Sequence, residues 1–351
     1  MTARYQQMCQ WLKQQTESDE LQLEMVAGDA SFRRYYRLHR DNGTEIIMDA
    51  PPSHEDCQPF VTLAEQWFKQ GIPVPQVLAQ DLEQGFLRLE DFGDQQFLPI
   101  LEQGFEQANN LYPMALSALI QLQTIPATAL PAYDEALLMR EMALFKDWFC
   151  QDWLGLTLDT SEQQLLADSF AFLCQAALSQ PKATVHRDYH SRNLMLTPDK
   201  KLGVIDFQDA VYGPITYDLV SLLRDCYIQW PTAALTHWRD SFWDALQQSK
   251  HHQQQVLPAG YNQKQFTRDF DLMGAQRHLK AIGIFARLWL RDGKSGYLKD
   301  IPRTLIHLVQ GCSPYPELRA FVDWLNQRIA PALAEQALFP ELETKTEGTN
   351  A

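Results

Sequence analysis

The period of the apolar positions changes along the chain, and each change marks a different kind of element. Between residues 4 and 16 the apolar residues recur on helical spacing, with Tyr5, Met8, Cys9 and Leu12 on one face. Leu21, Leu23 and Met25 then alternate with polar residues, as a half-buried strand does. Gly28-Asp29-Ala30-Ser31 breaks the alternation, and Tyr35 to Arg40 and Thr44 to Met48 resume it on either side of Asp41-Asn42-Gly43, a strong hairpin signal. Pro51-Pro52 ends the third strand. A helix is predicted from Asp56 to Gln70, stopped by Gly71. Val77 to Ala79 and Gly85 to Leu89 read as two further strands, so residues 1–92 are expected to form a unit of five antiparallel strands and a helix.

From about Leu98 the pattern turns helical. Segments of 3.6-residue spacing cover 107–123, 134–154, 161–178, 216–228, 232–248 and 266–291. One β-rich island, 183–207, interrupts them with Thr184-Val185, Leu194 to Leu196 and Leu202 to Ile205, short apolar runs separated by polar turns. The expected fold class is α+β: a sheet-bearing N-terminal lobe, a mainly helical C-terminal lobe over 93–340, and a polar tail, 341–351, expected to be disordered.

Composition narrows the function. The chain of 351 residues carries a formal charge of −14, which repels nucleic-acid phosphate and argues against a nucleic-acid partner. Six cysteines, none at CxxC spacing, indicate neither a zinc site nor a redox motif. The first residues lack the apolar core of a secretory signal, and no uncharged apolar run reaches the roughly 20 residues that span a bilayer. The expectation is a cytoplasmic protein with no membrane partner; oligomeric state is not legible.

The β-rich island carries the chemistry. Val185-His186-Arg187-Asp188-Tyr189-His190-Ser191-Arg192-Asn193 is followed, after a short apolar strand, by Ile205-Asp206-Phe207. An aspartate able to accept a hydroxyl proton, with a carboxamide and a second carboxylate suited to Mg²⁺, is what phosphoryl transfer needs, since that reaction depends on positioning and charge neutralisation more than on covalent help. Asp188 is the candidate base, and Asn193 and Asp206 are the candidate metal ligands. These residues resemble the protein-kinase catalytic loop HRDxxxxN and the metal-binding DFG segment, here reading DFQ.

The form H-x-D-x-H-x-x-N, made by His186, Asp188, His190 and Asn193, is similar to the aminoglycoside phosphotransferase and choline kinase family, small-molecule kinases of bilobal, protein-kinase-like fold. The resemblance implies ATP as co-substrate, Mg²⁺ as cofactor, and structural roles for His186, which props the loop, and for Asp218 of Gly213-Pro214-Ile215-Thr216-Tyr217-Asp218-Leu219, which braces it. A narrower likeness runs through MDAPP, LEDFG, HRDYHSRNLM and DFQDAVYGPITYDLVSLLRDCYIQW, strings that resemble the amino-sugar anomeric kinases of cell-wall recycling. It implies phosphate transfer to the C1 hydroxyl of N-acetylmuramate or N-acetylglucosamine. Two other readings stay open: a kinase for an aminoglycoside, choline or another amine, and a pseudokinase that binds nucleotide without catalysis.

The chain departs from the kinase pattern at the nucleotide. No GxGxxG joins the first two strands; Gly28 and Ser31 are the candidates there for backbone contact with phosphate. The third strand reads Ile46-Ile47-Met48-Asp49, without a lysine. Arg33, Arg34 or Arg37 is expected to replace it as a phosphate clamp, the alternative being solvated strand arginines. Leu89-Glu90-Asp91-Phe92 resembles the linker that meets adenine, with Leu89, Glu90 and Phe92 as contacts. Gly293-Lys294-Ser295 is not a P-loop, because Leu288 stands where the first glycine belongs. On the substrate side His190, Arg192 and Asp209 are candidates. So is Arg291, the end of a basic stripe with Arg277, Lys280 and Arg287, for which the alternative is a solvated helix face.

Overall fold

The computed structural model describes residues 2–18, 20–28, 32–41, 43–128 and 130–336. Ser31 and the tail 341–351 lie outside them, as does Asn42 of the hairpin turn. Packing divides the chain into two units: Met1–Ile100 with Arg192–Asp209, and Leu101–Ser191 with Ala210–Ala351.

The first unit is built on a five-stranded antiparallel sheet in the order β1-β2-β3-β5-β4, from β1 (Gln22–Gly28), β2 (Arg34–Arg40), β3 (Gly43–Asp49), β4 (Val77–Asp81) and β5 (Phe86–Glu90). Helix α1 (Ala3–Thr16) covers one face, where Met8, Trp11 and Leu12 pack against Tyr36, Leu38, Ile47 and Phe86. Strand alternation puts Glu45, Ile47 and Asp49 on that same face. The predicted strands match these elements. Helix α2 (Gln58–Lys69) is shorter than expected at both ends, and buries Phe60, Val61, Leu63, Ala64 and Trp67 along one stripe. The unit also holds the hairpin β7 (Leu194–Leu196) and β8 (Leu202–Val204), which is tied to the segment after β5 by Leu196 N donating to Gln95 O at 2.7 Å.

The second unit is mainly helical: α3 (Phe97–Leu101) leads into it, followed by α4 (Phe105–Leu122), α5 (Glu135–Leu144), α6 (Thr160–Leu178), α7 (Tyr217–Leu223), α8 (Thr232–Gln248), α9 (Gln263–Asp292), α10 (Ile301–Cys312), α11 (Arg319–Trp324) and α12 (Ala330–Ala334). Strands β6 (Lys182–Val185) and β9 (Val211–Pro214) pair antiparallel beside them. The helix expected over 134–154 is α-helical only to Leu144 and continues as π-helical turns, Phe145–Trp153; that over 216–228 ends at Leu223. α9, 30 residues long, is the spine. The Asn262 side chain caps its first turn, and Gly293, at φ 67°, closes it in the left-handed conformation that glycine takes without strain.

α9 passes so close to the end of α5 that Gly283 has no room for a side chain: a Cβ there would stand 2.6 Å from Leu144 O. Because the obstruction is backbone, Gly283→Ala is expected to cost about 3 kcal/mol of stability in urea unfolding. Gly296→Ala, where nothing lies within 4 Å, is expected to leave the midpoint unchanged.

Candidate active site

The loop between β6 and β7 is pinned from the ends of one short buried helix. The Asp218 carboxylate, in the first turn of α7, accepts from His186 N at 2.7 Å and Arg187 N at 3.0 Å. Asp225, just beyond α7, accepts from Ser191 N at 3.0 Å and Ser191 Oγ at 2.5 Å. Between these anchors Tyr189 Oη donates to Ala115 O at 2.8 Å. The loop also holds itself: Asp188 N donates to His186 Nδ1 at 3.2 Å, and His190 N to Asp188 O at 3.0 Å. Such bracing keeps Arg187 at φ 76°, a left-handed conformation that costs an ordinary side chain of order 1–3 kcal/mol. His186 is fully buried, with its ring edge-on to Tyr189. His190 lies edge-on to the Tyr227 ring, 5.3 Å between centroids.

Asp188 is half-buried. Burial works against its charged form, but Lys280, His190, His186 and Arg277 outweigh that and hold its pKa below the usual carboxylate value. A carboxylate kept ionised in this way can accept a proton from a substrate hydroxyl. Asp218 goes the other way: burial pushes it up to about 7, against the downward pull of its two backbone donors.

Arg187 itself reaches Glu141 of α5, Nη2 to Oε1 at 2.6 Å. The same carboxylate takes Lys280 Nζ at 3.2 Å, Gln276 Nε2 at 3.3 Å and the Tyr133 hydroxyl. Lys280 and Arg277 are therefore not part of a solvated or ligand-facing stripe: both are buried, and Arg277 donates to Ser221 Oγ at 2.6 Å and Cys226 Sγ at 3.4 Å. Arg291, at the exposed end of α9, is paired with Asp292 at 2.7 Å. Trp230 is core, its indole donating to Tyr112 Oη at 2.5 Å.

The candidate metal ligands belong to the first unit and stand on either side of the β7–β8 hairpin, closed by Ile205 N donating to Asn193 O at 3.0 Å. Phe207, fully buried, stacks on Phe60 of α2 at 4.9 Å and lies 5.6 Å from Trp67. That anchor fixes Asp206, whose φ is 65° and whose side chain is exposed. Its carboxylate accepts from Asn193 Nδ2 at 3.2 Å and Gln208 Nε2 at 2.7 Å. This donor set fits Mg²⁺: a carboxylate already meeting a carboxamide offers hard oxygen ligands once the Asn193 amide presents its oxygen, and Mg²⁺ completes its shell with water and phosphate. Among the described residues no group of three or more His, Cys, Asp or Glu converges as a metal site. Arg192 is half-buried and Asp209 exposed on the same segment.

Nucleotide-side candidates separate by partner. Arg37 is bound to Asp91 at 2.6 Å and Asp94 at 2.7 Å, and Arg33 to Glu55 at 3.1 Å. Arg34 is exposed, in register between Gly28 of β1 and Asp49 of β3. Asp49 faces α1, where Arg4 meets it at 2.7 Å, a pairing no sequence pattern announced. Leu89 is buried in β5, Glu90 is exposed, and the Phe92 ring packs on Gly203 of β8, where a Cβ would fall 2.7 Å from Phe92 Cε2.

No described helix is long and apolar enough to cross a membrane. Residues 22–257 match the phosphotransferase enzyme family. A protein of Pseudomonas putida named N-acetylmuramate/N-acetylglucosamine kinase is 42% identical over 94% of this chain and 98% of its own. One of the same name from Pseudomonas aeruginosa is 42% identical over 90% of this chain and 94% of its own. Solved structures share the fold at low identity. A choline/ethanolamine kinase family protein of Mesorhizobium loti superposes with a TM-score of 0.60 at 11% identity, over 91% of this chain and 98% of that one. An ADP-bound aminoglycoside phosphotransferase gives 0.55 at 14%, over 87% and 98%. The sheet-bearing first unit, the helical second unit and a family match over most of the chain agree: this chain belongs to the phosphotransferase enzyme family and has its kinase-like fold.

Proposed function

We propose that this phosphotransferase moves the γ-phosphate of ATP to the C1 hydroxyl of N-acetylmuramate or N-acetylglucosamine. The observation that carries the proposal is the likeness to kinases named for these two sugars, at 42% identity along 94% of the chain. Asp188 takes the proton of the C1 hydroxyl; the oxygen forms its bond to the γ-phosphorus as the bond to the β–γ bridging oxygen breaks, leaving ADP. Asn193 and Asp206 hold Mg²⁺, which when bound neutralises phosphate charge. Arg34 is assigned to phosphate, since Arg33 and Arg37 are already engaged by carboxylates. Gly28 offers backbone to the phosphates, and Leu89, Glu90 and Phe92 meet the base. His190, Arg192 and Asp209 bind the sugar.

Incubation with Mg-ATP and a panel of amino sugars, aminoglycosides and choline tests this reading. The expected product is an alkali-stable, acid-labile sugar 1-phosphate from N-acetylmuramate, N-acetylglucosamine or both. A phosphorylated amine with untouched sugars would replace the substrate assignment, and no product from any of them would favour a nucleotide-binding protein without catalysis.

A further inference from the structure

One buried carboxylate grips the segments on both sides of His190. We propose that Asp225 is a positioning residue for the acceptor: by holding Ser191 with one oxygen and Tyr227 with the other, it fixes the His190 ring where the sugar is received. The inference rests on the sugar contact assigned to His190 above.

Asp225 is 1% exposed and lies just past the end of α7. Its Oδ2 accepts from Ser191 N at 3.0 Å and Ser191 Oγ at 2.5 Å, and its Oδ1 accepts from Tyr227 N at 2.9 Å. Ser191, fully buried, follows His190 directly in the chain. Tyr227 returns to His190 through space, its ring edge-on to the imidazole at 5.3 Å. His190, Ser191, Asp225 and Tyr227 therefore form a closed circuit with the carboxylate as its hub. The far side of the circuit is braced. The Tyr227 ring lies against Phe285 of α9, 6.1 Å between centroids. Cys226, between Asp225 and Tyr227, is buried; its carbonyl accepts from Arg303 Nη1 at 2.9 Å and its Sγ from Arg277 Nη1 at 3.4 Å. A carboxylate withdrawn from water keeps its charge only while donors satisfy it, and these donors come from the two segments that flank His190. The imidazole itself is half-buried, which leaves it surface for a ligand. The nucleotide side does not depend on this circuit. Arg34, Leu89, Glu90 and Phe92 belong to the first unit, and Asn193 is tied there by Ile205 N.

A positioning carboxylate and a merely structural one differ in which substrate notices its loss. Asp225→Asn keeps the shape of the side chain but leaves one oxygen to serve both segments. It is expected to raise the KM for the acceptor sugar about 10-fold, since small displacements of a contact group are costly. Calorimetric titration with Mg-ATP should still give the parental stoichiometry and a Kd within about twofold of the parent. Partial unfolding would lower kcat and the stoichiometry and leave the sugar KM alone, whereas a general loosening would weaken both substrates. Ser191→Ala deletes the hydroxyl bond and spares the main-chain ones. It should move the sugar KM the same way by a smaller factor, and it decides the matter if Asp225→Asn does not fold. An unchanged sugar KM in the folded variants, or an equal loss of affinity for Mg-ATP, overturns the proposal. His190→Ala, run alongside, separates it from the reading beneath it. A raised sugar KM there with an unmoved one in Asp225→Asn removes only the role of Asp225. An unmoved sugar KM in His190→Ala removes His190 as the sugar contact, and the role of Asp225 with it.

Discussion

Asp188→Asn is expected to lower kcat and kcat/KM together by roughly 10²–10⁴, with the KM for ATP near the parental value. The substitution keeps the size of the side chain and spares the main-chain bonds of residue 188, whose N–H donates to His186 Nδ1 and whose carbonyl accepts from His190 N. Asp218 and Asp225 grip the neighbouring residues and do not depend on the carboxylate. What disappears is a proton acceptor that its cationic neighbours hold below the usual carboxylate pKa. An amide has no such capacity. Steady-state kinetics with the preferred sugar is the check, with circular dichroism to show that the variant is folded; its unfolding midpoint is expected to fall, because the cations that favour the ionised Asp188 lose a counter-charge. A variant that turns over at the parental rate would require another group to take the hydroxyl proton.

Features encoded by local spacing were legible in the sequence. The five strands of the first unit follow from alternation and turn residues, the loop from the interval between Asp188 and Asn193, and Asp206 from its place after one short apolar strand. Braces that come from far along the chain were not. Glu141 lies 46 residues before Arg187, Asp225 lies 34 after Ser191, and Arg4 lies 45 before Asp49. No periodicity connects such pairs. The same blindness misplaced Lys280 and Arg277: on a helical wheel they form a polar stripe, and only the counter-charges of distant elements let that stripe be buried. Short elements were missed for a different reason. β9 has four residues, α11 has six and α12 has five, too few for a period to emerge. The π-helical turns after Leu144 escaped notice because they keep an apolar face while changing the hydrogen-bonding step.

Asp206→Ala is the second variant with a large expected effect: a fall in kcat of at least about 10²-fold and a rise in the Mg²⁺ concentration needed for half-maximal rate. The position favours a clean result. The neighbouring Phe207 is fixed by Phe60 and Trp67, so the segment keeps its anchor when the exposed carboxylate is cut away. Alanine is less suited than aspartate to a φ of 65°, which adds a local cost of about 1–2 kcal/mol. Asp206→Asn avoids that cost, since asparagine tolerates the left-handed region, and it retains one oxygen ligand without the charge. Its Mg²⁺ requirement should therefore fall between those of the parent and Asp206→Ala. Asp209→Ala, three residues on, serves as the contrast: proposed to touch the sugar, it should raise the sugar KM and leave the Mg²⁺ titration where it was. Nucleotide binding followed by thermal shift with and without Mg²⁺ gives a readout that needs no turnover. The parent should gain stability from ATP chiefly when Mg²⁺ is present, and Asp206→Ala should lose that difference. If Mg²⁺ enhances ATP protection equally in both proteins, Asp206 is not the ligand, and the carboxamide and carboxylate at the foot of the β7–β8 hairpin are a structural pair.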